Sequence, residues 1–197
     1  MQVTVDKQYP VAASADTAWK ILANIPELTS CMPGAQITEQ LDANHYKGTV
    51  KVKVGPAVAA FAGDIEVLIV DTTARTLRML GKGADKGGSS ASMELTATLA
   101  SAADGTSTLH GKADVIVNGK FAQFGGRMMT SVSDMILAQF SKTFSDKAHA
   151  LEDSAQSAAQ ADPAPTVIVK VPRELNALSL LWGLLRGWFA GLFGRKA

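Results

Sequence analysis

Residues 45–70 read HYKGTVKVKVGPAVAAFAGDIEVLIV. From His45 to Val54 the side chains alternate, with Tyr46, Gly48, Val50, Val52 and Val54 on one side and Lys47, Lys51 and Lys53 on the other. A period of two with one apolar side is a β-strand that buries one face. Gly55-Pro56 interrupts the pattern, and it resumes over Val58 to Asp71 with Phe61, Gly63, Ile65, Val67 and Ile69 inward and Asp64 and Glu66 outward. Two such runs joined by so short a turn form an antiparallel hairpin.

Further alternating runs flank this hairpin at Ala35–Leu41, Thr76–Gly83, Ser90–Leu99 and Thr106–Val117. Turn residues separate them: Asp42-Ala43-Asn44, Asp71 to Ala74, Lys86-Gly87-Gly88 and Asp104-Gly105. Gln2 to Tyr9 adds a first strand. Ser14 is an N-cap for a short helix carrying Ala18, Trp19, Ile21 and Leu22, and Pro26 suits the start of a second. After the last strand, Gly125 to about Leu151 places Met128, Val132, Met135, Ile136, Phe140 and Phe144 at three- and four-residue spacing, which predicts one long helix. The order is strand, two helices, six strands, long helix. A sheet with one apolar face must be covered, and the long helix is the available cover. The expected class is α+β, a helix-grip fold in which a curved antiparallel sheet of about seven strands wraps around the C-terminal helix.

The inward positions are rich in small residues: Gly48, Gly63, Gly81, Ala91, Gly111 and Ala113. Such residues either bend the sheet or leave a cavity behind it. Met79, Met93, Met128, Met129 and Met135 either fill that space or form an adaptable apolar wall around a ligand. The pattern alone leaves both readings open.

Motifs for catalysis and metal binding are scarce. His45, His110 and His149 are far apart and lack companion ligands at metal-site spacing, so no metal site is expected. Ser133 and Asp134 have no histidine near them in sequence. The run Gly81-Lys82-Gly83-Ala84-Asp85-Lys86-Gly87-Gly88 looks like a phosphate loop but lacks the Gly-Lys-Ser/Thr ending and a following helix, and is expected to be a hairpin. Cys31, the single cysteine, excludes a disulfide framework and is expected to be a packed apolar residue. The 197 residues are 47% hydrophobic and 19% charged with a formal net charge of +1, so neither disorder nor a global attraction to nucleic acid is expected. The first residues, MQVTVDKQY, show no secretory pattern, which leads to the expectation of a cytoplasmic chain.

Three compositional regions divide the chain. Residues 1–151 are the expected domain, 152–172 (EDSAQSAAQADPAPTVIVKVP) an expected flexible linker, and 173–197 an apolar tail. As a helix, the tail gathers Ser179, Gly183, Gly187 and Gly191 on one face. Leu181, Trp182, Leu185, Trp188, Phe189, Leu192 and Phe193 supply the apolar bulk. A helix over residues 177–193 reaches about 25 Å, short of the roughly 30 Å hydrocarbon core, and Arg186 sits in its middle. We therefore expect an interfacial membrane helix, with Arg186 among anionic headgroups. Helix pairing through the glycines, or docking against the domain, are the alternatives.

Several motifs resemble the CoxG family of carbon monoxide dehydrogenase accessory proteins, within the START/polyketide-cyclase-like superfamily. They are Cys31-Met32-Pro33-Gly34-Ala35, Lys51-Val52-Lys53-Val54-Gly55-Pro56, the Gly81-Lys82-Gly83 to Gly87 turn, and Asn118-Gly119-Lys120-Phe121-Ala122-Gln123-Phe124-Gly125. The resemblance covers about residues 1–150. It implies a non-enzymatic partner of a molybdenum hydroxylase such as carbon monoxide dehydrogenase, peripheral on the inner face of the cell membrane. It also implies a non-covalently bound isoprenoid quinone, menaquinone-like, and coupling to the respiratory chain. A ligand-free anchor or assembly factor is the alternative. With a cavity so implied, the expected ligand-binding residues are the inward Phe61, Met79, Met93, Phe121, Phe124, Met128, Val132 and Met135. Pro33, Gly34, Gly55, Pro56, Asn118 and Gly119 are expected to set turns at its mouth.

Overall fold

A computed structural model of the chain describes residues 1–54 and 57–160. The Gly55-Pro56 turn, the linker beyond Gln160 and the whole tail, with Leu181, Trp182, Leu185, Arg186, Trp188, Phe189, Leu192 and Phe193, lie outside the described residues.

The elements run β1 (Gln2–Val11), α1 (Ala15–Leu22), α2 (Ile25–Cys31), β2 (Ala35–Gln40), β3 (His45–Val54), β4 (Ala57–Asp71), β5 (Thr76–Asp85), β6 (Ser90–Ser101), β7 (Ser107–Asn118), a 3-10 turn (Gly119–Phe124) and α3 (Gly125–Gln160). The strands form one antiparallel sheet in the order β1-β7-β6-β5-β4-β3-β2. Each of β2 to β7 pairs with its sequence neighbour, as short connections require, and β1 closes onto β7. The α1–α2 pair carries the chain from one edge strand to the other.

Local chemistry fixes the helix ends. Ser14 Oγ accepts the Thr17 N–H at 3.3 Å to start α1, and Asn24 Oδ1 accepts the Glu27 N–H at 3.2 Å to start α2. The Met32-Pro33-Gly34 turn then docks on the sheet, where Gly34 O accepts the Lys51 N–H at 2.9 Å. Gly34 has φ +77° and a Cβ there would collide with the Lys51 carbonyl, so glycine is required on both counts.

The main core lies where α1, α2 and the second half of α3 meet the sheet. Val11, Ala18, Ile21, Leu22, Leu77, Leu99, Phe144 and Ala148 are each no more than 3% exposed. A smaller cluster of Ala59, Val117 and Phe121 forms at the other end of the sheet, backed by half-buried Phe61, Phe124 and Met129.

Two features depart from the expected pattern. The helix α3 continues nine residues past Leu151, because EDSAQSAAQ contains good helix formers and neither Gly nor Pro. Glu152, expected in the linker, instead accepts hydrogen bonds from the Ser14 N–H and Oγ, both at 2.9 Å. In β4 the register shifts between Val67 and Ile69, a bulge that reverses the facing of the strand. Ile69, expected inward, is 41% exposed for that reason.

Candidate ligand cavity

Between the two clusters the middle of the sheet stands off from α3, and a cavity of about 440 Å³ remains. Alternate positions of every central strand form its wall: Val50 and Val52 from β3, Phe61 and Ile65 from β4, Met79, Gly81 and Gly83 from β5. Ala91, Met93, Leu95 and Ala97 come from β6, and Leu109, Gly111, Ala113 and Val115 from β7. One face of α3 closes it with Met129, Val132, Ser133, Ile136, Leu137 and Phe140.

The small residues divide into two groups. A Cβ on Gly63 would run into the Lys82 carbonyl, and one on Gly48 would come within 2.9 Å of the Gln36 carbonyl oxygen. These glycines permit close approach of neighbouring strands and hence curvature. A Cβ on Gly111 would meet nothing within 4 Å, and one on Gly81 only the Met93 Cε at 3.9 Å. Those two leave space that a side chain would occupy. Both readings of the small residues hold, each at its own positions.

Of the expected ligand-binding residues, Phe61, Met79, Met93, Phe121 and Val132 line the cavity. Phe121 is 2% exposed, stacks against Phe124 at 6.0 Å and meets Phe61 at a tilt of 55° with 5.9 Å between ring centroids. Phe124 thus backs Phe121 and is not itself part of the wall. Met128 and Met135, expected inward, are 37% and 50% exposed and lie outside the wall. The inward stripe of α3 is shifted by one position, to Met129 and Ile136, because the half-buried sheet dictates the helix phase that Met128 and Met135 could equally have supplied. The sequence reading also missed β1, which contributes Val5, Lys7 and Tyr9 to the wall. Their alternation was visible, but the pairing that brings β1 beside β7 was not.

Polar groups do not converge inside this space. Lys7 extends along the wall to an ion pair with Asp134 at 3.2 Å, both side chains about half exposed. Asp64 and Lys82 lie on the rim and are exposed. The Cys31 thiol is pushed up by burial and is 2% exposed, which suits packing and not nucleophilic reactivity. Each histidine stands on the surface beside one aspartate: His45 with Asp42, His110 with Asp6, His149 with Asp153. Among the described residues no three His, Cys, Asp or Glu side chains are grouped to hold a metal.

The glycine-rich run is the β5–β6 hairpin. Its turn N–H groups are already occupied by a carboxylate, since Asp85 Oδ1 accepts from the Gly87 and Ser89 N–H at 3.0 and 2.8 Å. Asp85 Oδ2 faces the Lys120 ammonium at 3.3 Å. The Ser89 N–H first, then the Lys120 ammonium and the Gly87 N–H, hold Asp85 below the usual carboxylate range. The internal anion fills the place a phosphate would take.

The family model for the CoxG component of carbon monoxide dehydrogenase matches residues 8–149. The chain belongs to the CoxG family. The matched span runs from the cavity strand β1 to the buried second half of α3, so the CoxG region and the grip domain coincide. No curated protein matches in sequence. Among solved structures, a conserved protein from Geobacillus kaustophilus superposes with a TM-score of 0.67 at 18% identity, covering 74% of this chain and 95% of that one. The Zhui aromatase/cyclase from Streptomyces sp. R1128 follows with 0.55 at 14%, covering 75% and 94%. A START superfamily protein from Mycobacterium smegmatis gives 0.54 at 17%, covering 75% and 98%. At these identities the likeness establishes the helix-grip fold of the CoxG chain and nothing about its chemistry. CoxG membership makes the chain an accessory component, and the cavity it encloses is walled mostly by apolar side chains.

Proposed function

We propose that this chain binds an isoprenoid quinone, menaquinone-like, in the cavity beneath α3, and couples a molybdenum hydroxylase such as carbon monoxide dehydrogenase to the membrane respiratory chain. In this reading it is not an enzyme, and its C-terminal tail tethers it to the inner face of the cell membrane.

The observation that carries the proposal is the cavity itself, in a CoxG-family chain. Its volume lies within the ordinary range for small-molecule sites, about 300–1,000 Å³. Its wall is apolar, and the aromatic group Phe61, Phe121 and Phe124 stands at one end. A planar quinone ring packs favourably on such faces, while the methionines Met79 and Met93 adapt to a flexible prenyl chain. Catalysis needs an acid, base or nucleophile aimed at the bound molecule. The charged groups beside the cavity are exposed or paired, which supports a carrier.

Organic extraction of the purified full-length chain followed by mass spectrometry should yield an isoprenoid quinone. An empty protein that also fails to take up added menaquinone would sink the proposal and favour a ligand-free anchor.

A further inference from the structure

The two ends of the grip domain differ in charge and in closure. One end carries the end of β3 and the start of β4, the β5–β6 turn, the 3-10 turn and the start of α3. Residues 49–54, 57–62, 84–90 and 118–130, which build it, contain five cations (Lys51, Lys53, Lys86, Lys120 and Arg127) and one carboxylate, Asp85. All five cations are exposed, and among the described residues only Lys120 is ion-paired, with that same Asp85. The opposite end, built from residues 12–24, 39–46, 66–76, 100–107 and 142–153, contains nine carboxylates against four Lys or Arg. A chain of net charge +1 is thus strongly polarised along its strands.

Closure follows the same axis. The acidic end is sealed by the main core, with Leu77, Leu99 and Phe144 each no more than 3% exposed. At the basic end the buried cluster is smaller, Ala59, Val117 and Phe121, and Phe61, Phe124 and Met129 packed against it are half-buried. Apolar side chains are presented outward at both ends, Leu41, Ile69 and Val70 among carboxylates at the acidic one, and Val58 at 60% and Met128 at 37% exposure among the cations here. Basic residues interleaved with exposed apolar ones make a surface matched to anionic headgroups over hydrocarbon.

We propose that this basic end is a docking face for an anionic lipid bilayer, so that the weakly closed end of the cavity meets the membrane directly. This goes beyond the tail anchor proposed above: the tail supplies attachment, and the face supplies orientation. Each basic residue at an anionic surface gains roughly fivefold in partitioning, so the four unpaired cations together contribute on the order of several hundredfold. An acidic protein surface is the competing partner for such a face; the exposed Val58 and Met128 and the adjoining apolar cavity favour lipid.

The test uses the full chain with an environment-sensitive thiol probe at Met128→Cys, and at Ile69→Cys on the acidic end as reference. Cys31 is buried and leaves the introduced thiol as the reporter. Vesicles of phosphatidylcholine, with or without phosphatidylglycerol, carry doxyl-labelled lipid as quencher and contain no quinone, so the result is independent of the cargo. The probe at position 128 should be quenched on phosphatidylglycerol vesicles and the probe at 69 should not. Molar salt should abolish the difference, as should the combined K51E, K53E, K86E and R127E changes in a protein that melts like the parent. Equal quenching at both positions would overturn the face. So would quenching at 128 that ignores both salt and charge reversal, or a chain that sediments with vesicles while neither probe is quenched, or one that does not bind them.

Discussion

Gly63 and Gly111 both face α3 from the middle of long strands, yet they answer different demands. A methyl at Gly63 collides with the backbone of β5, whereas one at Gly111 points into the cavity. Gly63→Ala should therefore destabilise the fold by about 1–3 kcal/mol, the usual cost of overpacking, read as a lowered midpoint of denaturant unfolding. Gly111→Leu should leave that midpoint nearly unchanged and abolish retention of the bound lipid on extraction. Retained lipid in Gly111→Leu would place the ligand elsewhere. Glu152 offers a second residue-scale test. Its carboxylate is held below the usual range first by the Ser14 N–H, then by the side chains of Thr17 and Ser14. A depressed folded-state value means that the stabilisation is present above the unfolded value, near 4.5, and is lost as pH falls through the folded one. Glu152→Gln should thus lower stability by about 1 kcal/mol near neutral pH, and the difference from the parent should vanish in acid. A gap that stays constant across an acid titration of thermal unfolding would contradict this.

Among the elements, α3 is uneven along its length. From Phe140 onward one residue per turn is fully buried (Phe140, Phe144, Ala148), while between Gly125 and Gln139 none is. The first half spans the cavity and rests on half-buried Met129, Val132, Ile136 and Leu137. Local stability follows buried apolar contact. Amide hydrogen exchange should accordingly be faster over residues 127–139 than over 140–152, and bound quinone should slow the first segment selectively. Uniform protection along the helix would show that the cavity does not weaken its cover. Phe144→Ala should cost about 3–5 kcal/mol, and Met135→Gln within about 0.5 kcal/mol. The same unevenness explains which parts of α3 were legible beforehand. Phe140 and Phe144 announce their burial by spacing and size. In the first half, Met128-Met129 and Met135-Ile136 are adjacent apolar pairs, and periodicity alone does not decide which member of a pair turns inward.

For the whole molecule, the grip domain and the tail make separable contributions in the proposed function. Among the described residues no helix is long and apolar enough to cross a membrane. Removing residues 173–197 should leave thermal unfolding of the domain unaltered, since the described core and the Ser14–Glu152 hydrogen bonds lie within residues 1–160. It should also release the chain, with its associated dehydrogenase, from membranes in a sedimentation assay. A truncated chain that stays on membranes as firmly as the parent would show that the folded domain alone anchors it.

By itself the sequence determined the element order, the antiparallel meander, the long covering helix and the CoxG motifs, because these depend on periodicity and turn chemistry within short windows. It also determined most of the wall, since alternation in β3, β5, β6 and β7 sends every second side chain to one face. Tertiary structure alone decided what contacts between distant segments impose. The bulge in β4 turned Ile69 outward, and the pairing of β1 with β7 brought Lys7 and Tyr9 to the wall. The rotation of α3 chose Met129 over Met128, and the close approach of β4 to β5 separated the glycines that bend the sheet from those that empty it. Facing along one strand is a local property with a period of two. Whether the faced space is filled depends on how far away the opposing element comes to rest, and no window of sequence contains that distance.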